Sequence, residues 1–158
     1  MADRERGDKK SMLVTFFSTS GFKVVRFLPI GTTIDSHYCC ELFRELARNT
    51  CPPLWVHMDN ARPHRAKCTA LVLEELEIVP LPHPPYSPDL APSDFWLFGR
   101  LKGSLGSTRF STLEELEKKL NEELHKITTA EIRRVYNEWV RRLQACIESG
   151  GEYVRNTQ

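Results

Sequence analysis

The sequence lacks several features that would place it in a specialised class of protein. No apolar stretch approaches the roughly 18 residues that a membrane-spanning helix needs. The charged start, residues 1–10, has no apolar core of the kind found in a secretory signal. The formal net charge is only +1, so overall charge gives no support to nucleic-acid binding. We therefore expect a soluble intracellular protein without a membrane segment.

Cysteine pairs with the spacing of metal ligands are also absent. The cysteines are five in number, and an odd count without paired spacing argues against a structural zinc site and against a disulfide framework. We interpret them as buried or incidental thiols of a protein in a reducing compartment. They are Cys39, Cys40, Cys51, Cys68 and Cys146.

The composition is that of one globular domain. Of the 158 residues, 41% are apolar and 27% are charged, which is ordinary for a soluble protein. A chain of this length buries roughly two-thirds of its unfolded surface. Strands are predicted at 12–18 and 22–28, and the short link between them contains Gly21, which favours a hairpin.

Alternating strand and helix patterns follow the hairpin. A helix capped by Asp35 or Ser36 is predicted to run to about residue 48, because apolar residues recur there at helical spacing. The segment that follows is predicted to contain, in order, a buried strand at 53–58, a helix from about 62 to 76 and a short strand at 77–81.

The second half of the chain is predicted to be helical. A proline-rich surface segment leads to Asp94, which opens a helix to about residue 105. Two capping-box patterns predict two more helices, and Gly150 ends the last one. They pair Thr112 with Glu115 and Thr128 with Glu131. The order of elements indicates an α/β layer with a helical C-terminal tail. We divide the chain into a charged tail at 1–11, one domain at 12–153 and a short tail at 154–158.

Two carboxylates stand out by their local setting. Asp59 follows an apolar strand, and Asp94 lies between the proline-rich segment and an apolar run. A carboxylate at a strand tip and another at a helix start can converge on one divalent ion, which suggests metal-assisted phosphoryl transfer. Considered singly, each has an ordinary alternative, since Asp59 suits a turn or helix cap and Asp94 suits a helix cap.

Other polar residues have plainer interpretations. Asp89 is predicted to be a turn residue. His64 and His83 are interpreted as polar loop histidines or as partners of ligand carboxylates, with direct metal ligation as the alternative. The arginines of the last helix are predicted to form a solvated face, paired with glutamates of the same helix. They are Arg133, Arg134, Arg141 and Arg142.

Two motifs resemble a known family. Residues 58–64 read Met-Asp-Asn-Ala-Arg-Pro-His, and residues 81–95 read Leu-Pro-His-Pro-Pro-Tyr-Ser-Pro-Asp-Leu-Ala-Pro-Ser-Asp-Phe. Both resemble the catalytic core of mariner-type transposases, as does the spacing between Asp59 and Asp94. The resemblance extends over nearly the whole chain, from about Met12 to Tyr153.

The resemblance implies an RNase H-like fold whose carboxylate triad holds two Mg²⁺ or Mn²⁺ ions. It implies that Asp59 and Asp94 are catalytic, as the second and third metal ligands, and that Asn60 and His64 orient the ligand carboxylates. The partners that it implies are DNA at transposon ends and a second copy of the chain, in the nucleus, with no small-molecule substrate.

The sequence also departs from the family. The family's first aspartate lies on a central strand upstream of the hairpin, yet only eleven residues precede the hairpin here. Asp8 is a poor substitute because no apolar strand surrounds it. Helix-turn-helix segments are absent too. We therefore expect an RNase H-like sheet flanked by helices that lacks its first central strand.

A missing central strand leaves two strand edges without partners. We expect a marginally stable monomer, a rearranged sheet that closes the gap, or a chain that needs a partner. The function expected is that of a truncated DNA transposase catalytic domain, inactive alone. The alternatives are a domesticated, non-catalytic module that binds DNA or protein, and a small nuclease that uses Asp8 as its third ligand.

Overall fold

The structure is a computed structural model that describes residues 12–29 and 31–154. The predicted N-terminal tail, including Asp8, lies outside the described residues. The strands are β1 (Met12–Ser18), β2 (Gly21–Leu28), β3 (Leu54–His57) and β4 (Ile78–Leu81). The α-helices are α1 (Ser36–Arg48), α2 (Lys67–Glu75), α3 (Phe98–Leu105), α4 (Leu113–His125) and α5 (Thr129–Glu148). Short 3₁₀ helices span Arg62–Arg65 and Pro88–Leu90, and a π-helix spans Ser93–Leu97.

The predicted hairpin is confirmed. Strands β1 and β2 pair antiparallel, with an irregularity between Phe16 and Phe17. The turn ends at Gly21, whose φ of +114° lies in a region that side chains with a Cβ rarely adopt.

The second sheet consists of β3 and β4, which pair parallel from Leu54 opposite Ile78 to His57 opposite Leu81. The strand predicted at 53–58 is present over Leu54–His57, but the expectation that it is buried holds for one of its faces only. Val56 is buried, whereas Trp55 is 67% exposed. The reason is that successive side chains of a strand point to opposite faces, and only the face that carries Val56 packs in the core.

The two sheets remain separate. Among the described residues β1 pairs with β2, β3 pairs with β4, and neither strand of one sheet pairs with the other sheet. The described residues therefore form two separate two-stranded sheets flanked by helices, and no described strand closes the gap between the sheets.

Most helix ends match the sequence prediction. The Asp35 carboxylate accepts a hydrogen bond from the Tyr38 amide at 2.8 Å. The Thr112 and Thr128 hydroxyls each accept one at 3.2 Å from the amide three residues on. Gly150, with a φ of +73°, ends the helix that begins after Thr128. Capping of this kind contributes about 1 kcal/mol per helix end.

Two predicted helices begin differently from the prediction. The helix expected at 62–76 is divided at Ala66, whose ψ of 147° is extended. The Thr69 hydroxyl donates to the Pro63 carbonyl at 2.7 Å and so satisfies an acceptor that an unbroken helix would use. The helix expected from Asp94 starts instead as the π-helix, so Asp94 lies within a widened turn and does not cap a helix.

Two hydrophobic clusters hold the elements together, and the hairpin belongs to both. The first lies among β2, α1, β3, α2 and β4, and its buried members are Val24, Cys39, Cys40, Leu42, Phe43, Leu46, Val56, Val72, Leu73 and Ile78. The second lies under the C-terminal helices, and its buried members are Leu97, Leu101, Leu120, Leu124, Ile127 and Ile132. Hairpin residues such as Phe16 pack on the first cluster and others such as Phe17 on the second.

All five cysteines are free. Cys39 and Cys40 are buried, while Cys51 and Cys68 are exposed. Burial raises the pKa of the Cys39 thiol to about 12. In the described part of the chain, no helix has the length and apolar character that crossing a membrane requires.

Candidate metal-binding site

Asp59 lies two residues beyond the end of β3, and local contacts hold its side chain. The carboxylate is 64% exposed, and its Oδ1 accepts a hydrogen bond from the Ala61 amide at 3.0 Å. The Nδ1 atom of His64 lies 2.8 Å from the same oxygen. The sequence Asp-Asn-Ala-Arg-Pro-His thus folds back so that its histidine contacts its aspartate. His64 is therefore in a position to orient this carboxylate.

Asp94 reaches the same region from the π-helix. Partial burial raises the pKa of the Asp94 carboxyl, the negative charge of Asp59 raises it further, and His83 opposes the increase. The charge of Asp59 therefore acts on Asp94, although the two predicted ligands are 35 positions apart in the sequence.

Asn60 makes a different contact from the one that sequence reasoning suggested. Its side-chain amide donates to the His83 carbonyl at 2.7 Å, so it connects the loop after β3 to the loop after β4. Asn60 therefore positions the backbone beside the two carboxylates. Its role in metal binding stays a prediction.

Two histidines contact each other near the carboxylates. The sequence had indicated no role for one of them, His57. His57 Nε2 and His83 Nδ1 are 3.0 Å apart. Burial and the neighbouring His83 lower the pKa of His57 to about 4. The His57 ring also packs on Trp139 of α5, with ring centroids 4.8 Å apart. The only sequence signal was the position of His57 two residues before Asp59.

Helix α5 anchors the proline-rich segment that leads to Asp94. The Trp139 indole donates to the Leu90 carbonyl at 2.8 Å. The Arg142 guanidinium donates to the Asp89 carbonyl at 3.1 Å and lies 4.2 Å from the centre of the Phe95 ring. Contacts with α5 therefore fix Leu90 before Asp94 in the sequence and Phe95 directly after it.

Two sequence predictions are wrong at this anchor. Arg142 pairs with Glu138 of the same helix at 3.1 Å, as expected. It was expected on a solvated face, however, and is only 7% exposed, because its cation packs on the Phe95 ring and donates to the backbone. Asp89 was expected to be a plain turn residue but is 4% exposed. Its Oδ2 accepts a hydrogen bond from the Val154 amide at 2.8 Å, which fixes the chain after α5.

The donor chemistry of the candidate site suits a hard divalent cation, since both groups are carboxylates at the surface. The carboxylate set is small, however. Among the residues that the structure describes, no group of three or more His, Cys, Asp or Glu side chains is placed to hold a metal ion. Asp59 and Asp94 stay the two predicted ligands.

Comparison with known proteins places this geometry in context. No protein-family model matches the chain. Human histone-lysine N-methyltransferase SETMAR is 34% identical over 155 residues, which are 92% of this chain and 22% of that protein. The mariner Mos1 transposase of Drosophila mauritiana is 31% identical over 160 residues, or 94% of this chain and 46% of that protein. The chain thus spans less than half the length of either relative.

Solved structures agree with the sequence relatives. The Mos1 transposase catalytic domain, solved with raltegravir and Mn, superposes with a TM-score of 0.87 at 29% identity, over 93% of this chain and 78% of that one. The Mos1 mariner paired end complex with Mn gives 0.88 at 30% identity, over 98% of this chain and 48% of that one. Since the fold and the sequence relatives agree, this chain is homologous to the mariner Mos1 transposase and similar in structure to its RNase H-like catalytic domain.

Proposed function

We propose that this chain is the part of a DNA transposase catalytic domain that binds divalent metal through Asp59 and Asp94. The proposal is carried by the Asp59 carboxylate, which His64 contacts at 2.8 Å, and by the effect of its charge on Asp94. The family's use of Mn and Mg in solved Mos1 structures supports the choice of ion. DNA as partner is supported by Mos1 complexes such as the one with the left transposon end.

Each residue of the site has a distinct task in this proposal. Asp59 and Asp94 supply oxygen ligands, His64 fixes the orientation of the Asp59 carboxylate, and Asn60 holds the adjacent loop. When bound, Mg²⁺ or Mn²⁺ activates the attacking oxygen and neutralises charge on a phosphodiester. Helix α5 keeps Asp94 in place through Trp139 and Arg142.

Catalysis by this chain alone is not part of the proposal. Asp59 and Asp94 alone would hold a pair of divalent ions less well than three carboxylates would, so the ions would neutralise less charge on a phosphodiester. We expect metal binding without efficient DNA cleavage. Assembly as a homodimer and location in the nucleus belong to the same proposal, since both rest on the family.

Titration with Mn²⁺, followed by calorimetry, tests the metal site. We expect one weak binding event that Asp59→Asn and Asp94→Asn each weaken by about tenfold or more, because each removes a charged ligand. The matched control is Glu75→Gln, which neutralises an exposed carboxylate on α2. Equal binding by all four proteins would remove the metal site from the proposal. Efficient nicking of plasmid DNA that needs both aspartates would instead show that the chain is a complete nuclease.

A non-catalytic binding module is the second candidate function. It is favoured by the similarity to SETMAR, a protein named for a different chemistry, of which this segment matches about a fifth. A module of this kind should bind DNA or a protein equally well with and without Asp59→Asn. A metal-dependent DNA-processing domain should lose its Mn²⁺-dependent DNA binding with the same substitution.

A further inference from the structure

Two cysteines lie on facing parts of α1 and α2, which pack against each other. Cys40 belongs to α1 and is 4% exposed. Its thiol donates to the Thr69 hydroxyl, with the sulfur and oxygen atoms 3.9 Å apart. Thr69 is 0% exposed and lies in the first turn of α2, directly after Cys68. The Cys40 thiol is therefore beside the turn of α2 that carries Cys68.

Cys68 is the exposed member of this pair. The pKa of its thiol lies below the ordinary value, chiefly because the Ser36 hydroxyl hydrogen-bonds to its sulfur. Hydrogen bonds from Thr69 and Cys40 add to this effect and outweigh the opposing desolvation. Because a lower pKa leaves more thiolate at neutral pH, the sulfur of Cys68 is both accessible and nucleophilic.

The neighbouring Cys39 lacks this reactivity. It is 2% exposed, and burial, followed by the electrostatic effects of Cys40 and Cys68, raises its pKa to about 12. A thiol with so high a pKa carries almost no thiolate at neutral pH. The contact between α1 and α2 thus holds one reactive thiol, one buried thiol beside it and one inert thiol.

An exposed thiolate next to a second thiol is the arrangement with which proteins form a reversible disulfide in response to peroxide. The Cα atoms that a disulfide joins lie about 4.4–6.8 Å apart, so only cysteines on segments in contact qualify. We propose that Cys68 and Cys40 are a peroxide-sensitive pair that forms a disulfide between α1 and α2. This inference goes beyond the proposed function, since it requires neither metal nor DNA.

The reaction has two steps. The Cys68 thiolate attacks one oxygen of hydrogen peroxide, the O–O bond breaks, and the hydroxide that leaves becomes water with the proton that the thiol released on ionisation. Cys68 is then a sulfenic acid. The Cys40 sulfur attacks the Cys68 sulfur, so an S–S bond forms, the S–O bond breaks and water leaves with the Cys40 proton. The two thiols lose two electrons, and one peroxide is reduced to two molecules of water.

The bond would join two parts of the first hydrophobic cluster covalently. It closes a loop of the 27 residues between the two cysteines and fixes the first turn of α2 on α1. A small thiol such as glutathione reverses it by thiol–disulfide exchange.

Peroxide treatment of the reduced full chain tests the pair. Samples taken over time are alkylated with N-ethylmaleimide and digested without reductant, and mass spectrometry follows each cysteine. We expect an intramolecular link between the peptide of Cys68 and the peptide that contains Cys40, and dithiothreitol should reverse it. The Cys68 thiol should disappear at least about tenfold faster than that of Cys51. Cys51 is the matched control, since it is also exposed but follows the other end of α1.

Single substitutions identify the second sulfur, because Cys39 and Cys40 are adjacent in the sequence. Cys40→Ala should abolish the link and let Cys68 proceed to the sulfinic acid. Cys39→Ala should leave the link unchanged. Circular dichroism checks that both variants fold. If Cys40→Ala does not fold, fragmentation of the linked peptides from the unmodified chain assigns the sulfur directly.

Four outcomes overturn the proposal. They are the absence of a link, a Cys68 thiol that reacts no faster than that of Cys51, a link through Cys39, and a bond between two copies of the chain. Metal binding is measured separately on the reduced protein, so loss of the metal site leaves this result intact.

Discussion

The Asp59 carboxylate depends on a neighbour five residues further along the chain. His64 contacts both the carboxylate and the carbonyl of Asp59, at 2.8 and 3.2 Å. A carboxylate held by such a contact loses less rotational freedom when it binds a cation than a free one does. In the proposed metal site, the histidine therefore acts on metal affinity through Asp59 and is a positioning residue.

We predict that His64→Ala weakens Mn²⁺ binding by about 10–100-fold, the range typical of residues that orient metal ligands. Stability should change little, because the contact is near the surface. Calorimetry and thermal unfolding of the same samples measure the two effects. The matched control is His37→Ala, since His37 pairs with Glu41 on α1 and its side chain is 83% exposed. An equal loss of affinity in the control would refute the assignment.

The predicted metal ligands are easier to identify from the sequence than the residues that position them. Asp59, Asp94 and His64 stand in contiguous motifs, so a linear reading finds them. Asp89 and Arg142 interact across 53 positions, and nothing local distinguishes a buried arginine from the exposed ones on the same helix. The burial of Arg142 arises from a contact that exists only in the folded chain.

Among the elements, α4 carries a nearly buried carboxylate whose charge is balanced within its own helix and the turn that follows. Glu123 is 6% exposed and lies 2.7 Å from the Lys126 ammonium and 3.0 Å from that of Lys119. Hydrogen bonds from Lys126 and then Lys119 hold the pKa of Glu123 below its ordinary value. The folded protein therefore favours the ionised form.

This arrangement predicts a pH dependence of stability. Because the pKa is lower in the folded state, the stabilisation is complete above the unfolded pKa of about 4.3 and is lost as pH falls through the folded value. Thermal unfolding from pH 6 to pH 3 should show this loss in the unmodified protein and a smaller one in Glu123→Gln. Glu122→Gln, on the exposed side of α4, should follow the unmodified protein. Identical curves for all three would contradict the prediction.

Helix ends were easier to predict than the irregular turns. Thr112 and Thr128 specify their helices through bonds within three residues, so the pattern is visible in the sequence. The π-helix at Ser93–Leu97 makes tertiary contacts that no local pattern reveals, such as that of Arg142 with Phe95. The same holds for the break at Ala66, where Thr69 reaches back to Pro63.

At the scale of the whole molecule, the hairpin joins two hydrophobic clusters that otherwise belong to different parts of the chain. Val24 is buried in the first, while Val25 packs on the second. Loss of either cluster therefore exposes one face of the same two strands. The clusters should unfold together despite the gap between the sheets.

We predict a single unfolding transition for the unmodified protein and for Leu97→Ala. Leu97 is 0% exposed in the second cluster, so its truncation should cost about 2–5 kcal/mol. Urea unfolding is followed by two probes, circular dichroism and the reactivity of the Cys39 thiol, which lies in the first cluster. Within each protein, the two probes should give the same midpoint. A thiol that stays protected after helix content is lost would show that the clusters unfold separately.

The overall architecture could be predicted because the hairpin, the helices and the motif around Asp94 each leave a local pattern. The separation of the two sheets followed from the family resemblance, since no local pattern in β1 or β3 reports what lies beside them. Trp55 illustrates the limit, because an apolar run at 53–58 does not reveal which strand face packs in the core.

The edge of β1 that does not pair with β2 also bears on how the backbone amides exchange hydrogen with water. In an antiparallel pair, alternate amides of one strand point toward the partner and the others point away. Deuterium should therefore enter every second amide of β1 early, with the alternation interrupted between Phe16 and Phe17. The exchange pattern of the seven residues of β1 thus reports which of its two edges is paired in solution.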